Sequence, residues 1–361
     1  MGFSCGLVGL PNAGKSTLFA ALTGTETVIA AYPFSTLEPK KGIVPVPDPR
    51  LEALAKLFSP AKVTPTTLEV VDIAGLVEGA SRGEGLGNQF LSHIRAVDVV
   101  LHVVRCFADG HIPHPTGCPD PQRDAEIVNT ELLLADLEIT ERRLEHAKKA
   151  ARIDAKASRA ELDLLERCRD ALSREKAIRT LQLEASDLGR LKASGLLTAK
   201  PLYYAANVDR DDPQSLTLAH ELEAIAGGDL VVTVDGKLEG ELARLPSEEQ
   251  ATFRTELGLA KPALDRLVAV GHRLLALLTF YTVVGEELRA WSIHQGATAV
   301  EAAAKIHSDM ARGFIRAEVV TVEEFLAAGS LSALRDRGGL RLEGRDYRIK
   351  DGDILTIRFA L

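Results

Sequence analysis

Residues 9–17 read Gly-Leu-Pro-Asn-Ala-Gly-Lys-Ser-Thr and match the phosphate-binding pattern G-x-x-x-x-G-K-[ST] at every fixed position. The apolar run Cys5–Val8 precedes this segment and Leu18–Leu22 follows it, which is typical of a loop between a strand and a helix. In such a loop, backbone N–H groups wrap the phosphates, and only a glycine-rich turn lets the backbone approach closely enough. We therefore expect Lys15 to reach the β- and γ-phosphates of a nucleotide and Ser16 to ligate Mg²⁺.

Two further segments fit a nucleotide site. Asp72 ends an apolar strand-like run, and Gly75 follows three residues later. An acid at this position can hold Mg²⁺ through water, and the glycine N–H can sense the γ-phosphate. Thr36, in the loop-like stretch 31–39, is positioned in sequence to give Mg²⁺ a second hydroxyl, and the alternative is a solvated threonine in a proline-rich turn.

Position 76 bears on the hydrolysis mechanism. Ras-like enzymes orient the attacking water with a glutamine there, whereas Leu76 cannot form a hydrogen bond with water. Water must therefore be positioned from elsewhere, or intrinsic hydrolysis is slow. The candidates are the glycine-rich stretch 79–88, interpreted as a switch loop, and the loop Phe107–Gln122, which carries His111 and His114.

Base selection depends on the segment Asn207-Val208-Asp209-Arg210. Guanine-specific relatives carry Asn-Lys-x-Asp, in which the aspartate accepts hydrogen bonds from guanine. Arg210 has five donors and no acceptor, so it cannot make that contact. Backbone groups near Val208 could instead pair with adenine, which favours ATP; a one-residue shift that brings Asp209 or Asp211 into the acceptor position would restore GTP.

Composition limits the class of protein. The 361 residues are 46% hydrophobic and 26% charged, which indicates a globular chain of two or three domains. A net charge of −8 excludes a globally basic coat for nucleic acid but not a local basic face. Four scattered cysteines and the lack of a signal-like or 18-residue apolar run predict a cytoplasmic protein without a membrane partner.

The elements that position the motifs alternate between strand and helix patterns, which predicts an α/β fold with a mainly parallel sheet. Strands are expected at Phe3–Val8, Leu68–Val71, Val97–Val104, Leu202–Ala205 and Leu230–Val234. Between the third and fourth, residues 123–200 lack proline and are dense in Glu, Arg, Lys, Ala and Leu. Leucines repeat at seven residues there, which favours two long helices forming a coiled-coil-like arm over a helical subdomain packed on the sheet.

After a helix expected at Ala263–Leu278, the pattern changes to that of a small α+β module. Strands are expected at Arg289–His294, Ala317–Val322 and Tyr347–Phe359, with a helix at Ala299–Met310. The module also carries basic residues that would form an RNA-facing patch if several shared one face, or would otherwise be paired with acids: Arg289, Lys305, Arg312, Arg316, Arg335, Arg337, Arg341, Arg345 and Arg348.

Several motifs together make the chain resemble the YchF-type Obg-like ATPases of the translation-factor class. They are Gly6-Leu7-Val8-Gly9-Leu10-Pro11-Asn12, Asp72-Ile73-Ala74-Gly75-Leu76-Val77, Gly83-Glu84-Gly85-Leu86-Gly87-Asn88-Gln89-Phe90, His102-Val103-Val104-Arg105-Cys106-Phe107, Arg289-Ala290-Trp291, Gly313-Phe314-Ile315-Arg316-Ala317-Glu318 and Asp351-Gly352-Asp353. Two positions depart from the family: Arg210 stands where a glutamate is usual, and Glu286 where a lysine is common.

The resemblance implies a P-loop nucleotide domain (1–122 and 201–278), an inserted helical arm (123–200) and a C-terminal TGS module of β-grasp type (279–361). It also implies ATP preference, slow hydrolysis stimulated by partners, and association with ribosomes. It suggests that Asn12 ligates K⁺ beside the phosphates and that His114 matches the loop histidine credited with hydrolysis. The predicted nucleotide-binding residues are Asn12, Ala13, Gly14, Lys15, Ser16, Thr17, Asn207 and Val208.

The sequence therefore predicts a slow, Mg²⁺-dependent ATPase that acts as a switch on the translation machinery. Lys15, Gly75 and His114 are the catalytic candidates, and Ser16, Thr36 and Asp72 hold Mg²⁺. Two rivals remain: a GTPase switch of the same fold, and a metabolic phosphohydrolase or kinase whose turnover is itself the output. The second would need an acceptor pocket, for which the sequence offers no motif.

Overall fold

The computed structural model describes residues 2–24, 39–73, 75, 79, 86–152, 155–259, 262–284, 286–330, 333–334 and 338–360. Thr36, Leu76 and most of the predicted switch loop at 79–88 lie outside these residues, as do Arg335 and Arg337. Over the described part of the chain, no helix has the length and apolar character needed to cross a bilayer.

The chain divides into two compact units. The larger contains Ser4–Gly42 and Val70–Leu267, and the smaller contains Met1–Phe3, Ile43–Glu69 and Val268–Leu361. The segment Ile43–Glu69 therefore groups with the C-terminal residues, whereas the sequence had placed it within the nucleotide domain. Its helix α2 (Pro49–Phe58) explains this grouping, because Leu51 and Leu54 are buried in a cluster with C-terminal side chains.

The first sheet has six strands in the order β2-β4-β1-β5-β6-β7. The strands β1, β5, β6 and β7 run parallel, so their carboxyl ends meet at one edge of the sheet. All five predicted strands are present, and the sequence missed β2. The bounds are β1 (Phe3–Val8), β2 (Lys40–Pro45), β4 (Thr67–Asp72), β5 (Val99–Arg105), β6 (Leu202–Asn207) and β7 (Val231–Val234).

An aspartate followed by proline starts three helices of the chain. Asp48, Asp120 and Asp212 each accept a hydrogen bond from a backbone N–H in the first turn. Proline at the first helical position costs nothing, because its missing N–H would have had no partner within the helix. The helices that begin this way are α2, α4 (Pro121–Ala151) and α7 (Pro213–Ala226).

The remaining helices of the larger unit are shorter than α4 and lie before and after it. They are α1 (Lys15–Thr23), α3 (Leu86–Ala96), α5 (Ala155–Leu172), α6 (Ala185–Ser194), α8 (Gly236–Leu242) and α9 (Ser247–Glu256), and α10 (Ala263–Leu274) continues into the smaller unit.

The inserted region combines features of both sequence interpretations. The first half of the 31-residue α4 packs on the sheet through Val128 and Leu132. Its second half packs against α5, where Leu144 meets Leu165. The prediction of two long helices was incomplete, because the separate helix α6 contributes Leu191 to a further apolar cluster.

The smaller unit is an α+β module built on a second six-stranded sheet, ordered β11-β10-β12-β8-β9-β3. Its pairings are mixed: β8 and β9 are antiparallel, whereas β12 and β8 are parallel. The strand bounds are β3 (Lys62–Thr64), β8 (Leu277–Val284), β9 (Glu287–His294), β10 (Phe314–Thr321), β11 (Arg341–Glu343) and β12 (Asp353–Phe359), and the helices are α2, α11 (Ala299–Ile306), α12 (Ser308–Arg312) and α13 (Val322–Ala328).

The elements predicted from residue 263 onward differ from the observed ones in their bounds, most notably in three places. The helix expected at Ala263–Leu278 stops at Leu274, because Ala276 has a φ of 48° and the following apolar residues pair with β9 as strand β8. The helix expected at Ala299–Met310 is broken at His307, whose φ and ψ of −160° and 140° are extended. The last strand starts at Asp353 rather than Tyr347.

A buried carboxylate fastens α4 to the segment that leads into β6. Asp136 is fully buried and accepts hydrogen bonds from Leu197 N at 2.8 Å, from Thr198 N at 2.7 Å and from Thr198 Oγ1 at 2.7 Å. Burial raises the pKa of Asp136, while these three donors act to lower it. Because all three donors would lose their partner together, the carboxylate is a stability determinant of this region.

Replacing Asp136 tests this role. We expect Asp136→Ala to lower the free energy of unfolding by about 3 kcal/mol, since buried donors left without acceptors bear their full desolvation cost. Urea denaturation at neutral pH measures the change. The matched control is Asp163→Ala on α5, an exposed position where we expect a change below about 0.5 kcal/mol. Equal effects of the two substitutions would contradict the role.

Candidate nucleotide site

The turn between β1 and α1 adopts a backbone that requires its glycines. Gly9 and Gly14 have φ angles of 151° and 93°, and Asn12, a residue type that tolerates the left-handed region, has 61°. A Cβ at position 9 would lie 2.3 Å from Val103 O, and one at position 14 would lie 2.1 Å from Asn207 Nδ2. The pattern glycines are therefore needed for both conformation and space.

Lys15 is buried at the start of α1, and its ammonium group points back into the turn. Nζ donates to Gly9 O at 3.2 Å and to Leu10 O at 2.9 Å. Burial lowers the pKa of Lys15 to about 8, and the nearby Asp72 carboxylate offsets part of this shift. The positive charge is thus held inside the turn by carbonyl oxygens, where a phosphate would supply a full opposite charge.

Ser16 and Asp72 meet at the ends of their elements. Ser16 Oγ donates to Asp72 Oδ2 at 2.8 Å, and burial raises the pKa of Asp72 against the lowering influence of Ser16 and Lys15. A hydroxyl next to a carboxylate is the oxygen donor set that Mg²⁺ prefers. Gly75 lies against the same turn, since a Cβ there would be 3.1 Å from Pro11 N.

Asn207 joins the phosphate-binding turn to the ends of two neighbouring strands. Its Nδ2 donates to Ala13 O at 3.0 Å, and its Oδ1 accepts from Gly236 N at 3.0 Å. Its backbone oxygen accepts from Cys106 N at 2.8 Å. Asn207 was predicted as a nucleotide-binding residue, and the structure shows its side chain supporting the turn that would bind the phosphates.

The loop that follows β5 reaches the phosphate-binding turn. Asn12 Nδ2 donates to Pro113 O at 2.9 Å. Arg105, buried at the end of β5, fixes the course of this loop by donating to Phe107 O at 3.0 Å, Asp109 O at 3.3 Å and Ile112 O at 3.1 Å. Sequence reasoning assigned no role to Arg105, and its position at the end of a strand before a long loop was the available signal.

His114 follows Pro113 directly, and its side chain is 3% exposed. The Thr116 N–H donates to Nδ1 at 3.3 Å, which places the ring proton on Nε2, facing Asp124 Oδ2 at 2.9 Å. Burial lowers the pKa of His114, although the Asp124 carboxylate opposes the shift. Both ring nitrogens already have protein partners in this conformation.

The segment after β6 offers few free groups for base recognition. The Val208 N–H donates to Val234 O at 2.9 Å, which removes it as a donor to a base. Arg210 is exposed and its guanidinium donates to Leu257 O at 3.3 Å. Asp209 Oδ1 accepts from Asp211 N at 3.1 Å within the turn. A backbone N–H that donates a hydrogen bond to the nucleotide base must therefore belong to a residue other than Val208.

Two of the seven described basic residues of the predicted patch in the smaller unit pair with carboxylates. Arg312 pairs with Asp309 at 2.9 Å, and Arg341 pairs with Glu324 at 3.4 Å. Arg289 lies over the ring of Trp291, with its guanidinium carbon 4.2 Å from the ring centroid. Arg312 and Arg341 therefore follow the alternative in which the basic residues pair with acids, whereas Arg289 contacts an aromatic ring instead.

The loop conformation, the Ser16–Asp72 pair and the strand order define a P-loop nucleotide-binding protein of the GTPase fold. A family model described as 50S ribosome-binding GTPase (MMR_HSR1) matches residues 4–151. A second model, YchF-GTPase_C, described as a protein of unknown function (DUF933), matches residues 277–360.

Full-length relatives narrow this class. The chain is 46% identical over 361 residues to "Ribosome-binding ATPase YchF" of Haemophilus ducreyi, covering 99% of each protein. It is 44% identical over 364 residues to the protein of the same name in Bacillus subtilis, covering 99% of this chain and 100% of that one. The structure of the Schizosaccharomyces pombe YchF GTPase matches with a TM-score of 0.85 and 33% identity, over 99% of this chain and 97% of that one. The chain belongs to the YchF family.

The pKa of Lys15 leads to a prediction about binding. Because this pKa is about 8, part of the Lys15 population is neutral above that pH, and a bound phosphate should restore the proton. Calorimetric titration with a non-hydrolysable ATP analogue, in buffers of different ionisation enthalpy, counts the protons. We expect uptake of about 0.9 proton at pH 9 and about 0.2 at pH 7.5.

The control for proton uptake is Lys15→Arg. Its guanidinium remains charged at both pH values, so the pH-dependent part of the uptake should disappear even if binding weakens. Uptake that is the same at pH 7.5 and pH 9 in the unmodified protein would show that the Lys15 pKa is not depressed.

Proposed function

We propose that this chain is an ATP-hydrolysing nucleotide switch that binds the ribosome. The observation that carries the proposal is the phosphate-binding turn, in which Lys15 and the Ser16–Asp72 pair converge. Relatives at about 45% identity over the full length carry the name ribosome-binding ATPase, which supports both the activity and the partner. Hydrolysis then sets the lifetime of the binding-competent state.

Mg²⁺ fits the oxygen donors at the end of β4. Ser16 would ligate the ion, Asp72 would hold it through water, and Thr36 would add a second hydroxyl. When bound, the ion would neutralise charge that develops on the β- and γ-phosphates. We also assign a K⁺ site to Asn12, whose side chain lies at the positive-φ corner of the turn.

The other roles in ATP hydrolysis belong to backbone and side-chain groups of the protein. Backbone N–H groups of residues 12–17 and the Lys15 ammonium stabilise the phosphate oxygens as charge shifts toward the leaving group. The Gly75 N–H senses the γ-phosphate from its place against Pro11. His114 orients the attacking water, which requires the ring to exchange its contacts with Asp124 or Thr116 for that water.

Replacing His114 tests its part in hydrolysis. We expect His114→Ala to lower the ATP turnover rate by about tenfold or more, because a positioned group for the water is lost. The affinity for a non-hydrolysable ATP analogue should change less than about twofold, since the side chain contacts no phosphate in this proposal. Phosphate release under saturating ATP gives the rate, and calorimetry gives the affinity.

The neighbouring histidine provides the matched control. His111 lies in the same loop and is exposed, so His111→Ala should leave turnover unchanged. An unaltered rate in the His114 variant, or equal losses in both variants, would remove His114 from the mechanism. Unstimulated turnover well below the 1–100 per second typical of kinases is expected, and a rate in that range would favour a metabolic enzyme.

The contacts around Arg210 support adenine over guanine. Guanine recognition requires a carboxylate acceptor, whereas Arg210 offers only donors and is turned toward Leu257 O. Asp209 already accepts a hydrogen bond from Asp211 N within its own turn. The missing acceptor would leave guanine N–H groups unpaired at the site, which costs a substantial part of the affinity.

Base preference is measured by titrating nucleotide-free protein with non-hydrolysable ATP and GTP analogues in Mg²⁺ and potassium buffer. We expect the ATP analogue to bind at least about tenfold more tightly, equivalent to about 1.4 kcal/mol. Arg210→Asp should narrow this difference, because it supplies the missing acceptor. Tighter GTP binding would overturn the ATP assignment, and loss of that preference in Asp209→Asn or Asp211→Asn would then identify the acceptor.

A further inference from the structure

A hollow of about 690 Å³ lies in the larger unit, at the base of the inserted helices. Its lining comes from α4, from residues 175–181 and 198, and from the end of α7. The residues that matter here are Asn129, Leu133, Lys176, Arg179, Leu181 and Ile225. This volume lies in the range of small-molecule sites, and none of the lining residues belongs to the phosphate-binding turn.

The first feature of this hollow is a guanidinium group that forms no ion pair with any residue that the structure describes. Arg179 Nη1 donates to Thr198 O at 3.4 Å, and within the described ranges no carboxylate lies at ion-pair distance from it. The neighbouring Asp136 has its oxygens occupied by Leu197 and Thr198. Burial lowers the pKa of Arg179, which reflects the cost of holding this charge away from water. An anion in the hollow would remove that cost.

A second, independent feature is an acceptor atom without a donor. Asn129 Nδ2 donates to Tyr204 Oη at 3.2 Å, but Asn129 Oδ1 is buried and has no hydrogen-bond partner among the residues that the structure describes. Buried amide oxygens are nearly always paired in folded proteins, because an unpaired one loses its hydration without compensation. A ligand that carries an N–H or O–H group would satisfy this atom.

The rest of the hollow is apolar or lies at its rim. Leu133 and Leu181 are partly buried, and Ile225 is 49% exposed, so apolar surface is available to a ligand. Lys176 and Glu175 are exposed at the rim and balance each other's charge. The net charge presented to a ligand is therefore that of Arg179.

From this arrangement we propose that the hollow binds a small organic anion that has an apolar ring system and one hydrogen-bond donor. The anionic group pairs with Arg179, the donor pairs with Asn129 Oδ1, and the ring covers Leu133, Leu181 and Ile225. Because the lining comes from α4, residues 175–181 and the end of α7, a bound molecule connects the base of the inserted helices to α7.

The probe that matches these three requirements is 8-anilinonaphthalene-1-sulfonate, which has a sulfonate, two aromatic units and one N–H group. Calorimetric titration of the full chain, saturated with a non-hydrolysable ATP analogue, should show one saturable site. Arg179→Met should weaken binding about tenfold or more, and Asn129→Leu should weaken it by a smaller factor. The matched control is Arg174→Met, an exposed arginine of the same segment that lies outside the hollow.

The result is interpreted only for variants whose urea unfolding midpoint and ATP turnover match those of the unmodified protein, which keeps this test separate from that of the proposed function. Weakened binding in the Arg179 and Asn129 variants, with unchanged binding in the Arg174 variant, supports the site. A hollow that holds only water would show no saturable heat. That result, or equal binding by all variants, would overturn the proposal.

Discussion

The contact between Asn207 and the phosphate-binding turn is the constraint on which the site depends. The Asn207 amide occupies the space that a Cβ at position 14 would need, and it ties Ala13 O to the start of α8 through Gly236 N. The turn is thus held by the ends of β6 and β7 as well as by β1. A glycine-rich loop would otherwise sample many conformations, because glycine loses more backbone entropy on ordering than other residues. The backbone N–H groups of the phosphate-binding turn are therefore held in place before a nucleotide binds.

Hydrogen bonds from Arg105 restrain the loop Phe107–Gln122, which carries His111 and His114. Loops are usually the least restrained segments of a protein, yet Arg105 donates to three carbonyl oxygens of this loop from a buried position at the end of β5. Pro113 O of this loop also accepts a hydrogen bond from Asn12 Nδ2 in the phosphate-binding turn. The phosphate-binding turn is therefore in direct hydrogen-bond contact with the residue before His114.

The sequence predicted the larger unit well because its signals are local. Apolar runs located all five predicted strands, and the pattern around Lys15 located the turn. The arrangement of the smaller unit was harder to predict, because Leu277–Val284 is as apolar as a buried helix and becomes a strand only by pairing with β9. The grouping of residues 43–69 with the C-terminal residues could not be predicted for the same reason, since burial of Leu51 and Leu54 among C-terminal side chains depends on tertiary contacts. Partners such as Asp124 for His114 also could not be read from spacing.

The electrostatics of Lys15 and Asp72 explain why this site suits a switch. Burial lowers the pKa of Lys15 and raises that of Asp72, so it works against the charged form of both groups. Under the proposed function, a magnesium–phosphate complex would supply negative charge to the ammonium and positive charge to the carboxylate, and it would offset both costs at once. Loss of the γ-phosphate would reduce this compensation, so the two nucleotide states would differ in how well they stabilise the phosphate-binding turn.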